Sequence, residues 1–110
     1  MAKAKPAPRA VVAYDSIAAS MTKKGGVEAS QMFGMPTLKV KGKAFAGLFN
    51  DAMVFKLKGV HHAAALALAG AKLFDPMGGR PMKEWVQVPM KHESAWVKLA
   101  ESARDYVSKG

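Results

Sequence analysis

Few residues in this chain are equipped for chemistry, and their spacing decides what they can do. There are three histidines, with His61 beside His62 and His92 far along the chain. Adjacent residues on a helix project about 100° apart, so His61 and His62 do not face one ligand position. Nothing in the spacing brings the three imidazoles together, and no metal is expected. The chain has no cysteine, which excludes disulfides, thiolate metal sites and cysteine nucleophiles. Ser16, Ser20, Ser30, Ser94, Ser102 and Ser108 all lie outside a Gly-x-Ser-x-Gly setting, and nothing marks a base to activate them. The 8 acidic residues are scattered, which leaves little material for paired carboxylates. Glu84, next to Trp85, has Lys83 and Arg80 as prospective counter-charges. Gly78-Gly79-Arg80 lacks the Lys-Ser/Thr ending and the immediate helix of a phosphate loop, and Pro81 follows it. The expectation is a protein without enzymatic activity and without a cofactor.

The stronger chemical signal is positive charge. Seventeen Lys and Arg against 8 Asp and Glu give a formal net charge of +9, a field that attracts polyanions. Lys39, Lys41, Lys43, Lys56 and Lys58 fall within a stretch that holds a single acid, Asp51. With Arg80 they are the candidate contacts for an anion or a nucleic acid. Strand alternation places Lys39, Lys41 and Lys56 outward on neighbouring strands, where each phosphate contact would add salt-dependent affinity. No aromatic residues are expected among them, so base stacking is not. No turn-linked recognition helix is evident either. A charged sheet face also blocks aggregation without binding anything.

These residues must be held by a small set of elements. A chain of 110 residues suits one domain with one modest core. Residues 1–8 are Ala, Lys and Pro and read as a basic, disordered tail, leaving 9–110 as the domain. Residues 9–24 repeat Tyr14, Ile17, Ala18 and Met21 at helical spacing, and Gly25-Gly26 ends the run. Residues 27–32 read as a strand and 34–36 as a bend, because Pro36 interrupts pairing. Residues 37–41, 44–49 and 53–57 follow as strands, with Gly42 and Asn50-Asp51 as turns. Residues 60–69, rich in Ala and Leu, favour a helix. A short strand at 72–74, a Gly/Pro loop at 75–81 and a strand at 84–88 come next, with Trp85 expected to close the sheet edge. Residues 93–108 form the clearest helix, with Trp96, Leu99, Ala100, Ala103, Tyr106 and Val107 inward. The fold class is therefore α+β: a single antiparallel sheet, with a meander of three to four strands plus one or two more. Helices cover one face, in the order α-β(3-4)-α-β(1-2)-α.

The combination of Met32-Phe33-Gly34-Met35-Pro36, Leu38-Lys39-Val40-Lys41-Gly42-Lys43-Ala44-Phe45-Ala46 and Met53-Val54-Phe55-Lys56-Leu57 resembles the N-terminal domain of the TfoX/Sxy family. So does Gly79-Arg80-Pro81-Met82-Lys83-Glu84-Trp85-Val86-Gln87-Val88-Pro89 followed by a helix. Residues 10 to 108 take part, and the related YjbR-like and YdhG-like domains share the architecture. The family's Met-Phe-Gly-Gly turn is Met-Phe-Gly-Met here. The resemblance implies the same α+β architecture and a regulatory role of the kind seen in competence regulators. In those proteins a helical C-terminal domain follows; a stand-alone version is expected here. It implies no catalytic residues. Phe33, Phe45 and Phe55 read as core anchors.

Three functions follow as expectations. The first is a non-enzymatic binding or regulatory module of the TfoX N-terminal type, contacting a protein partner or nucleic acid. The second is weak nucleic-acid binding through the lysine face. The third is a small-ligand or enzymatic site in a cleft near the 75–81 loop. No apolar run approaches the roughly 18 residues of a membrane span, and no leader-like apolar segment follows the first residues. A cytoplasmic location without membrane contact is expected.

Overall fold

The computed structural model describes residues 8–23, 25–32, 35–49, 51–75, 79 and 81–109, with Met32 described in its backbone only. The element order is α1 (Pro8–Lys23), β1 (Val27–Met32), β2 (Met35–Val40), β3 (Lys43–Phe49), β4 (Ala52–Lys56), α2 (Gly59–Leu66), β5 (Lys72–Phe74), β6 (Met82–Pro89) and α3 (Glu93–Lys109). A 3-10 turn at Met90–His92, not signalled by the sequence, joins β6 to α3. The expected α+β architecture, an antiparallel sheet flanked by helices, is present, and its sheet has six strands. Residues 1–7 of the expected tail lie outside the described residues, whereas Pro8 already opens α1, where its missing N–H costs no helical bond. No helix among the described residues is long and apolar enough to cross a membrane.

The strands run in the order β1-β2-β3-β4-β6-β5, and every neighbouring pair is antiparallel. Three sequence expectations change here. Pro36 is not in a bend; it lies in β2 opposite Gln31 of β1. The β2–β3 register begins one residue later, at Thr37, so the residue without an N–H sits at a strand end. Trp85 does not close an edge, because β6 lies between β4 and β5. Val86 and Val88 of β6 are fully buried in the helix-side core, as suits an interior strand. The three-residue β5, with exposed Lys72, makes a short charged edge instead. Lys41 leaves the strand alternation. It and Gly42 take φ of 53° and 77°, the left-handed pair of a tight hairpin turn. Its Nζ donates to the carbonyl of Ser108 in the last turn of α3 at 3.0 Å, where a cation suits the helix dipole.

The helices pack on one face. Ala10, Tyr14, Ile17 and Met21 of α1, Ala65 of α2, and Trp96, Ala100, Ala103 and Val107 of α3 join Leu38, Val40, Leu48, Met53, Phe55 and Val88 in one core. A bulge between Leu38 and Lys39 lets Phe45 and its neighbour Ala46 both enter this core. Each large side chain fully buried there contributes roughly 1.5–3 kcal/mol. Arg9 ties the start of α1 to the start of α3: its Nη2 lies 2.6 Å from Glu93 Oε1 and its Nε donates to the same oxygen at 2.9 Å. Trp96, the largest fully buried side chain, has an indole N–H without a hydrogen-bond partner among the described residues.

The other face is not the plain lysine surface the alternation suggested. Met35, Val54, Phe74 and Trp85 form a second apolar cluster there, with Ala44, Phe49 and Met82 packed against it. Among the described residues no helical one belongs to this cluster.

Candidate binding face of the sheet

Register assigns the residues of this face, because antiparallel partners share a side. One row across the strands reads Ser30, Thr37, Gly47, Val54, Gln87 and Lys72. An adjacent row holds Glu28, Lys39 and Ala44 on one side and Lys56 with Trp85 on the other. Lys39 and Lys56 thus share the face away from the helices, a face whose residues Thr37, Val54 and Phe74 are themselves fully buried. They stand on strands separated by β3, about 10 Å apart by strand spacing. Each has an acid nearby: Glu28 is the cross-strand partner of Lys39, and Glu84 Oε1 lies 3.9 Å from Lys56 Nζ.

The remaining predicted contacts disperse. Lys41 is turned to α3. Lys43 pairs across from Val40 on the helix side of the sheet. Lys58 is exposed just ahead of α2, and Arg80 lies outside the described residues. The five candidates among the described residues therefore do not form one patch.

Sequence reasoning missed the aromatic content of the open face. Phe49 and Phe74 meet edge to face, with ring centroids 5.1 Å apart at 69°. Phe74 and Trp85 lie 6.4 Å apart at 54°. Phe74 and Trp85 are buried, while Phe49 is half-buried. The available signal was the parity of Gly47 and Phe49 with Val54 and Lys56 through their pairings, which the β3 bulge conceals from simple counting. Lys72 and Gln87 were missed as well, although they are direct cross-strand partners. They line an open depression of about 520 Å³ together with Phe49, Leu73, Asp75 and Pro81. It lies at the cleft position expected near the 75–81 loop. Asp75 Oδ2 accepts the N–H of Gly79 at 2.8 Å.

The imidazoles do not converge. His62 Nε2 donates to the carbonyl of Lys83 at 2.7 Å, and His92 Nε2 to that of Ala69 at 2.8 Å. A nitrogen holding a proton for a carbonyl has no lone pair for a metal, and His61 is exposed on α2. No cluster of three or more metal-ligating side chains occurs among the described residues. Glu84 meets Lys56 and accepts from the Tyr106 hydroxyl at 2.7 Å; of the expected counter-charges, Lys83 is not the group found with it, and Arg80 lies outside the described residues. The Tyr106 phenol is pushed above its ordinary range, first by this hydrogen bond, then by burial and the Glu84 charge. Comparison of the chain with protein-family models, curated proteins and solved structures finds no match.

Proposed function

We propose that the chain is a non-catalytic binding or regulatory module of the TfoX N-terminal type, working in the cytoplasm through the open face of its sheet. The observation that carries this reading is half-buried Phe49, backed by buried Phe74 and Trp85, on a face where no helical residue among those described joins the cluster, with Lys39 and Lys56 on the same side. Phe74 and Trp85 are buried and brace this face, so the ring available to a partner is half-buried Phe49 beside the cations. The motif resemblance supports the same reading, and the lack of cysteine fits a reducing compartment. Affinity capture with the intact chain and with a Lys39→Glu/Lys56→Glu variant tests it. A partner held by the former and released by the latter is expected. Identical capture by both, or none by either, would count against the proposal.

Nucleic acid is the second reading, and a specific observation favours it. Strand alternation alone puts no aromatic ring among the lysines, yet Phe49 stands half-buried on the lysine-bearing side. A ring beside cations is what single-stranded nucleic acids use for stacking and charge neutralisation together.

A further inference from the structure

The depression beside β5 has unused binding capacity. At about 520 Å³ it falls within the range of small-ligand sites, roughly 300–1,000 Å³. Phe49 supplies an apolar wall, braced edge-on by Phe74 at 5.1 Å. Gln87, half-buried, and Lys72, exposed, are cross-strand partners on the same side of the sheet. Neither side chain has a hydrogen-bond or ion-pair partner among the described residues. The Gln87 amide is not among the buried unpartnered groups, so it reaches solvent and can donate and accept toward a molecule in the depression. Asp75 lines the same space, and its carboxylate is oriented by the Gly79 N–H at 2.8 Å.

These groups call for a ligand with three properties at once. It needs a flat face for Phe49, an edge that both donates and accepts for Gln87 and Asp75, and an anionic group for Lys72. A bare phosphate would leave the walls of Phe49, Leu73 and Pro81 uncovered and would be repelled by Asp75. A purely apolar molecule would strand Gln87 and Lys72. We propose that this depression binds a nucleotide, a flat amino-bearing heteroaromatic ring carrying a phosphate. The ring lies against Phe49, its edge meets Gln87 and Asp75, and the phosphate meets Lys72 within the field of a chain of net charge +9. This site goes beyond the open-face reading and can fail without it. Face binding depends on Lys39 and Lys56, whereas nucleotide binding depends on Lys72 and Gln87.

The test is an NMR titration of the full chain with adenosine monophosphate, with inorganic phosphate and adenosine as separate probes. Saturable shifts at Phe49, Lys72 and the Gln87 side-chain amide are expected with the nucleotide, with weaker binding of either fragment. Gln87→Glu keeps the shape but opposes the phosphate, and exposed Lys72→Gln leaves the fold's interior untouched. Each should weaken binding roughly fivefold to tenfold. A phosphorylated trinucleotide distinguishes the source: tighter binding than the mononucleotide identifies a strand end, and equal or weaker binding a free nucleotide. No saturable shift at millimolar nucleotide, or shifts indifferent to both substitutions, would overturn the proposal.

Discussion

Glu84 shows how one exposed side chain can join three elements. It accepts a hydrogen bond from the Tyr106 hydroxyl of α3 at 2.7 Å and stands 3.9 Å from the ammonium of Lys56 at the end of β4, while its own backbone carbonyl accepts the N–H of Leu57 at 2.8 Å. The phenol must be protonated to donate, and its pKa in the fold is raised. The bond's contribution is therefore fully present below the unfolded value of about 10 and disappears as pH climbs through the raised folded value. Thermal unfolding of the intact chain and of Tyr106→Phe should differ by a few degrees at most, since the pair is exposed. That difference should stay constant from neutral pH to about pH 9 and close above about pH 10. A difference that persists unchanged into strong alkali would show that the hydroxyl bond has no part in it.

At the scale of elements, β3 is the strand on which both faces depend. Gly47 lies in its middle, between Thr37 and Val54 in the open-face row. A Cβ there would stand 2.7 Å from Met35 Cε and 3.0 Å from the Pro36 carbonyl oxygen. Met35 can move, but the backbone oxygen cannot without disturbing β2. Gly47→Ala should therefore cost about 1–3 kcal/mol, read from the midpoint of urea unfolding; an unchanged midpoint would mean that β2 has room to yield. Most element positions were legible in the sequence because their periodicities are local. The stripe of Tyr14, Ile17 and Met21 is buried as read, and β5 and β1 have the bounds expected. What was not legible depends on partners. Lys41 fits the alternation of β2 until the turn requires a left-handed residue there. Phe45 and Ala46 enter the same core only because of a bulge set by β2. The neighbours of β6 follow from where α2 delivers the chain, which no periodicity encodes. The candidate site suffered most, since Phe49, Lys72 and Gln87 come from three different strands.

At the scale of the whole molecule, charge and topology set the behaviour. A net charge of +9 favours any polyanion at low salt, so affinity alone would say little about the open face. The informative quantity is the slope of log affinity for a single-stranded oligonucleotide against log salt. Replacing Lys39 and Lys56 by Gln should make that slope shallower by about 0.7 for each phosphate no longer neutralised. An unchanged slope would place the binding elsewhere on the surface. Topology adds a consequence of its own. Among the described residues β5 pairs with the sheet through β6, and β6 pairs with the meander through β4, while the four strands of the meander pair with their chain neighbours. The β4–β6 seam therefore joins the last two strands to the first four, with Val86 and Val88 of β6 also packed into the helix-side core. The depression spans that seam, with Phe49 on one side and Lys72, Leu73 and Gln87 on the other. Anything seated in it would act as a clasp, drawing the chain's late-arriving half onto its early one.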